Sequence, residues 1–313
     1  MASDQSAARP SGRAAEIPYN EPGARASLST HLILFAGQLC FASLPIAGRL
    51  ALAHVPPGAI PLVRTAGGAL VFGALAWRRG TLRLPQRGDV GFIVLCALLG
   101  TVINQEMFIH GLARTTATNT VVLGATIPVF TALLAIVLGK EPVRARRLAG
   151  MAIAFGGVAA FVGADRMSTS PSYLLGSAMV LVNSLSYGTY LVIGKPLAER
   201  YDPIALLAIL FGVALVFVAP LGVYDLATAP AFTANDWWFL AFLIVVPTVG
   251  GYTLVQVALR RAESSLVAAY IYLQPLLAAI GAVLLLDERI GMRTVACGAI
   301  VLFGVWLAAR SRP

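Results

Sequence analysis

Charged residues are scarce in this sequence. Asp, Glu, Lys and Arg make up 12% of the 313 residues, while hydrophobic residues make up 58%, whereas about a quarter of a typical soluble domain is charged. The few charges cluster between apolar runs of about 20 residues, the length that crosses the hydrocarbon core of a bilayer. This placement does not fit one large soluble core, and it predicts an all-α integral membrane protein.

Nucleotide-binding and hydrolytic motifs are also missing. The sequence contains no GxxxxGK loop, no HExxH and no GxSxG, which argues against an ATP-driven pump and against the common hydrolases. The loops between the apolar runs are too short to fold as separate domains. We therefore expect no enzyme activity and no cofactor.

Cysteine is rare too. Cys40, Cys96 and Cys297 lie singly in apolar runs, with no CxxC pair and no metal-ligand spacing, so we expect neither a disulfide nor a metal site. The net charge of +9 comes from basic residues in scattered short loops, which argues against a nucleic-acid partner. Residues 1–28 are polar and lack the apolar stretch of a cleavable signal peptide, and they predict a disordered cytoplasmic tail.

Ten apolar runs follow the tail, and we number them spans 1 to 10. The four tryptophans, Trp77, Trp237, Trp238 and Trp306, fall near span ends, where interfacial aromatic side chains are expected. The predicted spans are His31–Ala53, Pro57–Trp77, Val90–Leu112, Thr116–Leu138, Leu148–Ala164, Leu174–Ile193, Pro203–Tyr224, Trp237–Leu259, Ser264–Leu286 and Ile290–Ala309.

The distribution of Lys and Arg predicts the orientation of these spans. With the N-terminus in the cytoplasm, 17 of these residues lie on the cytoplasmic side, 4 lie outside, and Arg49 and Arg64 lie within spans. Positive charge accumulates on the cytoplasmic side of membrane proteins. We therefore predict a multi-pass protein of the inner (plasma) membrane with both termini in the cytoplasm.

The second half of the sequence repeats the first. From Leu112 onward the chain aligns without gaps with the stretch that starts at Leu259, at an offset of 147 residues, and an earlier stretch aligns at an offset of 146. The repeat predicts two five-span units, residues 29–164 and 173–310. Because five is odd, the units have opposite orientations, which is the inverted-repeat design of many secondary transporters. The matched pairs include Arg49 with Lys195, Pro57 with Pro203, Pro128 with Pro275, and Glu141 with Glu288.

The repeated residues resemble a known module. The pattern Gly111-Leu112-x-x-Thr115-x-Ala117-Thr118, followed by Pro128, Glu141, Gly150 and Gly156-Gly157, is similar to the EamA half-module of the drug/metabolite transporter superfamily. The second half repeats it through Pro275, Glu288, Gly298 and Gly304. Arg64 resembles the arginine that follows the turn between helices 1 and 2 of that module. Asn104-Gln105 resembles a pair in amino-acid-exporting members.

The resemblance implies ten helices, cytoplasmic termini, a central substrate cavity and export of amino acids or other metabolites. Our leading hypothesis is a secondary carrier that exports amino acids, aromatic ones included, by alternating access. A carrier for drugs, purines or sugar-linked metabolites is the first alternative, and a channel is another. A lipid-modifying membrane enzyme would need acidic or histidine clusters at one membrane face, which the sequence does not show. Expected partners are a small-molecule substrate and the lipid bilayer, with the oligomeric state open, a monomer included.

Polar side chains within the spans are few, and such residues usually face the bundle interior or a wet cavity. Asn183, Tyr187 and Tyr190 are spaced i, i+4, i+7 and form one stripe on span 6. Phenols and amides suit a small amphipathic solute, whereas plain interhelical packing is the alternative. The predicted substrate-binding residues are Gln38, Arg64, Asn104, Gln105, Asn183, Tyr187, Tyr190, Tyr252, Gln256, Tyr270 and Gln274.

Glu106 and two prolines complete the candidates. Glu106 in span 3 has three open roles: a structural ion pair with a basic residue, which we rank first, a proton-coupling carboxylate, or a contact with a substrate ammonium group. Pro128 and Pro275 are predicted to kink spans 4 and 9, because proline removes a backbone hydrogen bond. The paired kinks are either hinges or fixed bends that shape the bundle.

The inverted repeat makes a topological prediction. In a chain whose three native cysteines are replaced by alanine, Glu141→Cys is expected to react with an impermeant thiol reagent only from the cytoplasm, and Glu288→Cys only from outside. The reason is that five predicted spans, an odd number, lie between the two positions, which places them on opposite sides of the membrane. Labelling of both positions from the same compartment would rule out the inverted arrangement.

Overall fold

The computed structural model describes residues 27–162, 170–277 and 292–309. Regular secondary structure in these residues is helical throughout, which confirms the all-α fold class. Two π-helical segments, π1 (Leu98–Ile103) and π2 (Ile244–Gly251), and two 3-10 turns, Arg87–Asp89 and Tyr270–Leu273, interrupt or flank the α-helices. The α-helices are α1 (Leu28–Ala42), α2 (Leu44–Ala51), α3 (Ala59–Arg78), α4 (Val90–Ala97), α5 (Asn104–Arg114), α6 (Ala117–Gly124), α7 (Ile127–Val137), α8 (Ala145–Val162), α9 (Pro171–Ile193), α10 (Lys195–Arg200), α11 (Pro203–Thr228), α12 (Ala234–Leu243), α13 (Tyr252–Arg261), α14 (Ser264–Ala269) and α15 (Met292–Ala309).

Six helical segments of the described chain are long and apolar enough to cross a membrane, and they correspond to predicted spans 1, 2, 3, 6, 7 and 8. Large apolar side chains point away from the bundle on these segments, with Leu70, Trp77 and Val216 each at least 70% exposed. A lipid bilayer is the environment that covers such faces. The count of ten spans stays a prediction. The six segments are Leu28–Ala51, Ala59–Arg78, Arg87–Arg114, Pro171–Ile193, Pro203–Thr228 and Ala234–Arg261.

Local sequence signals set several helix starts. The hydroxyl of Ser27 accepts a hydrogen bond from the backbone N–H of Thr30 and caps α1. Asp202 caps α11 in the same way, directly before a proline in the first turn. Thr233 and Asp236 form a reciprocal capping box at the start of α12. Each cap satisfies backbone donors that the first helical turn leaves free.

The third span of each unit carries a π-helical segment at the same place in the repeat. In π2, Pro247 lacks the backbone N–H that an α-helix uses, which gives a local reason for the wider turn. In π1, the carbonyl of Leu99 accepts a hydrogen bond from Ser186 Oγ at 2.7 Å, and that of Gly100 accepts one from Tyr252 Oη at 3.3 Å. Both donors belong to the second half of the chain, so π1 is held by the opposite unit.

The two proline positions differ from the predicted mid-helix kinks. Pro128 lies in the first turn of α7, after a break in the helix at residues 125–126. Pro275 is the second residue of the helical segment that follows the 3-10 turn Tyr270–Leu273. Proline is tolerated in a first turn because the N–H it lacks has no partner there. Spans 4 and 9 are therefore interrupted just before the proline, and a hinge role for both residues stays a prediction.

Equivalent residues make equivalent contacts in the two halves. Arg49 Nη1 donates to the carbonyl of Thr115 at 3.3 Å, and Lys195 Nζ donates to that of Ala262 at 2.5 Å. These pairs correspond under the offsets of 146 and 147. A second set also corresponds: Arg200 Nη1 lies 3.1 Å from Asp89 Oδ1, and His54 Nδ1 lies 3.1 Å from Asp236 Oδ1. These shared contacts support an internal duplication of the chain.

Small residues allow the closest helix pairs to form. A Cβ atom on Gly150 of α8 would lie 2.5 Å from the backbone nitrogen of Ala308 in α15, and one on Gly304 would lie 2.5 Å from that of Ala154. The two helix backbones therefore touch at both glycines. Close backbone approach through small residues is the usual way that helices associate in lipid, where no hydrophobic force draws them together.

This contact makes a stability prediction with a control on the same helix. Gly150→Ala is expected to lower the free energy of unfolding by about 1–3 kcal/mol, because the added methyl group meets backbone atoms that have no free space. Gly156→Ala, where a Cβ meets nothing within 4 Å, is expected to keep or raise it, because alanine favours the helix. Thermal unfolding of the purified protein in detergent measures both, and equal melting temperatures would contradict the close contact.

Candidate functional site

A central cavity lies between helices of the two halves. Its empty space, including the space at its opening, is about 780 Å³. Apolar and aromatic side chains such as Phe41, Phe108 and Ile271 form part of the wall. Eight of the eleven predicted substrate-binding residues also line it: Gln38, Arg64, Asn104, Gln105, Asn183, Tyr187, Tyr252 and Gln274.

Asn104 connects three helices at the cavity wall. Its side-chain oxygen accepts a hydrogen bond from Tyr252 Oη at 2.9 Å, and its backbone carbonyl accepts one from Asn183 Nδ2 at 2.7 Å. On the other side, Gln274 Nε2 donates to Gln38 Oε1 at 2.7 Å. Every one of these bonds joins the first half of the chain to the second, so the polar part of the wall is assembled across the two halves.

Three predicted residues lie outside the cavity lining. Tyr190 Oη donates to Gln256 Oε1 at 2.8 Å, and both side chains are buried. The ring of Tyr190 also packs against π1, where a Cβ on Gly100 would lie 2.6 Å from it. Tyr270 Oη is 2.6 Å from His31 Nδ1. Each of these polar side chains therefore has a partner on another helix. A direct role of the three residues in substrate binding stays a prediction.

Glu106 is buried and lies 3.3 Å from His110 Nε2, one helical turn further along α5. This geometry fits the pairing that we ranked first among its three roles. Its neighbour Gln105 lines the cavity, whereas Glu106 does not belong to the lining. A coupling role for this carboxylate stays a prediction.

Arg64 is the charged side chain of the cavity wall. It is only 1% exposed, and its Nε donates to Thr248 Oγ1 in π2 at 3.0 Å. Thr248 Oγ1 in turn donates to the backbone carbonyl of Leu243 at 2.8 Å. Among the described residues, no carboxylate lies within 4.0 Å of the guanidinium group, and Nη1 has no hydrogen-bond partner. Leaving a buried charge without a partner is costly.

Two other lining residues have free hydrogen-bonding groups. Both amide atoms of Gln105 and the hydroxyl of Tyr187 lack a hydrogen bond although they are buried. The Gln105 amide lies near the phenol of Tyr252 but forms no hydrogen bond with it. Free buried polar atoms in a native structure require an explanation, and here several of them surround one cavity.

An ionic cluster joins the two halves at one end of the bundle. Glu141 accepts hydrogen bonds from the backbone N–H and the hydroxyl of Ser265 at the start of α14. Arg147 pairs with Glu141 at 3.0 Å and also with Glu263, and Arg144 pairs with Glu263 at 3.0 Å. Two arginines from the first half therefore balance one carboxylate from each half. Glu288, the predicted equivalent of Glu141 in the second half, lies outside the described residues.

Sequence reasoning missed part of this arrangement. The contact of Glu141 with Ser265 across the two halves had no sequence signal beyond the repeat. Thr248 was missed because a threonine in an apolar run is common, and Phe41 and Phe108 were missed because aromatic residues in such runs usually face lipid or core. Within the described part of the chain, no three His, Cys, Asp or Glu residues are placed to hold a metal ion.

Comparison with known proteins agrees with this architecture. The sequence model of the EamA-like transporter family matches residues 28–163 and again residues 174–310. An uncharacterized transporter of Archaeoglobus fulgidus is 29% identical over 281 residues, covering 89% of this chain and 96% of that protein. A probable terminal-alkyne amino-acid exporter of Streptantibioticus cattleyicolor is 31% identical over 246 residues, covering 76% of this chain and 80% of that protein.

The fold has a counterpart among solved structures. One crystal structure superposes with a TM-score of 0.75 at 18% identity, covering 91% of this chain and 97% of that chain. A bundle of lipid-facing helices around a polar cavity, with these relatives, defines a multi-pass membrane transporter. The chain belongs to the EamA-like transporter family, as the resemblance in its repeated residues predicted.

The ionic cluster makes a stability prediction. Arg147→Ala is expected to lower the free energy of unfolding by roughly 2–4 kcal/mol, because it leaves Glu141 and Glu263 close together with one arginine fewer to balance them. Arg146→Ala is the matched control, since Arg146 is exposed on the same turn, and it is expected to change stability by less than about 0.5 kcal/mol. Melting temperatures in detergent compare the two, and a loss of the same size in both variants would contradict the cluster.

Proposed function

We propose that the protein is a secondary carrier that exports small organic metabolites, with amino acids as the first substrate class, by alternating access across the inner membrane. The observation that carries this proposal is the polar cavity between the two halves, whose wall is held by hydrogen bonds that cross from one half to the other. A cavity built in this way changes shape whenever the two halves move relative to each other.

The described conformation supports alternating access. In the predicted orientation, the Glu141 cluster lies at the cytoplasmic ends of spans 4, 5 and 9. The bonded pair Tyr190–Gln256 lies one helical turn closer to the cytoplasm than the cavity residues Tyr187 and Tyr252. In that orientation, two sets of polar contacts lie on the cytoplasmic side of the cavity. We expect these contacts to break when a substrate enters from the cytoplasm.

The lining supports a solute with both polar and apolar parts. Amide and phenol groups alternate with the rings of Phe41 and Phe108 around the cavity, and such walls bind flat or apolar groups at one place and polar groups at another. Amino acids have this character. One relative, 31% identical, is named as a probable exporter of an amino acid, which supports the same class for this chain.

Transport in reconstituted liposomes tests the proposal. Purified protein is reconstituted into liposomes loaded with a panel of unlabelled amino acids, purines or cationic drugs, and uptake of the matching labelled solute is followed. A carrier is expected to give saturable counterflow, in which internal solute accelerates uptake of the label. Counterflow with purines or drugs alone would replace amino acids by that class, and flux without saturation or counterflow would indicate a channel.

Tyr187 makes the prediction specific to the cavity. Tyr187→Ala is expected to raise the KM for counterflow about tenfold, because it removes a ring and a hydroxyl from the wall. Leu185→Ala on the same helix is the control, since Leu185 is 46% exposed toward lipid, and its kinetics are expected to match the native protein. Unchanged kinetics in the Tyr187 variant at normal expression would remove this residue from the site.

A further inference from the structure

The buried charge of Arg64 is not required by the helical architecture. In the second half of the chain, the equivalent position at the offset of 146 is Leu210, which is also buried, at 2% exposure. The helices that carry the two residues, α3 and α11, pack directly against each other, with the ring of Phe211 against Gly68. One half of the bundle therefore fills this position with an apolar side chain. An arginine in the other half has a reason other than packing.

The surroundings of Arg64 leave its charge unbalanced. Its Nε donates a hydrogen bond to the neutral hydroxyl of Thr248, and the cavity lining contains no Asp or Glu among the described residues. Glu106, which is close in sequence to the lining, contacts His110 through Oε2, while its buried Oε1 has no hydrogen-bond partner. Ionisable residues within membrane spans face the bundle interior or a water-filled cavity, pair with one another or with backbone carbonyls, and mark substrate or ion pathways.

Further free donors line the same cavity. The Nη1 of Arg64, the amide nitrogen of Gln105 and the hydroxyl of Tyr187 are all buried and unbonded. A carboxylate accepts about four hydrogen bonds through its two oxygens, and a guanidinium group is its preferred partner. The free amide oxygen of Gln105 adds an acceptor for an ammonium group.

From this arrangement, we propose that Arg64 is the anchor for the carboxylate of the transported solute, so that the carrier selects solutes with one carboxylate over their uncharged or cationic analogues. The inference rests on the proposed carrier function and narrows its substrate class to monocarboxylates, zwitterionic amino acids included. Arg64 is the single cation among the described residues of the wall, and it balances one carboxylate. A cationic drug or an amine without a carboxylate is repelled by it.

Binding by a matched series of compounds tests the selectivity of the native protein. The series compares three forms of phenylalanine, leucine and methionine: the free amino acid, its carboxamide and the decarboxylated amine. Each compound is tested as a competitor of counterflow and for the shift that it causes in the melting temperature. The free carboxylates are expected to bind at least about tenfold more tightly, the gain expected from a charge-assisted pair. Amides or amines that bind as well as the carboxylates would overturn the anchor and leave a carrier of another class.

Variants separate anchoring from structural support. Arg64→Gln is expected to lose the preference for carboxylate over amide, and Arg64→Lys is expected to keep part of it because the charge remains. Thr248→Val removes the neutral partner of Arg64 and leaves the cation in place, so the preference is expected to persist. Loss of the preference in Thr248→Val, or its retention in Arg64→Gln, would overturn the proposal.

The outcomes also distinguish a failure of the carrier function from a failure of the Arg64 anchor. If the native protein gives no counterflow with any class of solute, the proposed carrier function fails, and the anchor fails with it. If it gives counterflow only with solutes that lack a carboxylate, the carrier function stands and the anchor alone is overturned. Should Arg64→Gln not fold, the native selectivity and the Arg64→Lys and Thr248→Val variants still decide the question.

Discussion

Hydrogen bonding without water is the constraint on which this structure depends. Inside a bilayer, a polar group that is not bonded to protein has no solvent to replace the partner. The polar side chains of the spans therefore meet in the centre, where the amides of Asn104 and Asn183 and the phenol of Tyr252 bind across the two halves. The cavity follows from this, since the polar groups that need each other lie on its wall rather than on the lipid side.

The hydrogen bonds between the halves are individually weak, and that suits a carrier. Hydrogen bonds between helices in membranes contribute about 0.6 kcal/mol on average and at most about 2 kcal/mol each. A layer such as Tyr190–Gln256 therefore holds one conformation without locking it. The tighter elements are the backbone contacts at Gly150 and Gly304, which occur between α8 and α15, away from the cavity lining. Because α8 and α15 belong to different halves, this contact joins the halves at the periphery, while the hydrogen bonds in the centre can exchange.

Charge is distributed unevenly along the bundle. At one end, Arg144 and Arg147 meet Glu141 and Glu263, so that two positive and two negative groups balance. In the cavity, Arg64 has only neutral partners among the described residues. The first arrangement satisfies itself and holds the halves together. The second lacks a balancing charge among the described residues, and this difference is why we propose a binding site there rather than a structural ion cluster.

The sequence by itself determined the class of protein, its helices, its repeat and most of the polar residues that line the cavity, because hydrophobicity and residue spacing are local properties of the chain. It did not reveal the breaks before Pro128 and Pro275 or the segment π1, which has no proline to mark it. Only the tertiary structure decided that Tyr187 faces the cavity while Tyr190, on the same stripe, binds Gln256. The stripe on one helix faces several neighbouring helices. Which neighbour each side chain contacts depends on how distant parts of the chain pack.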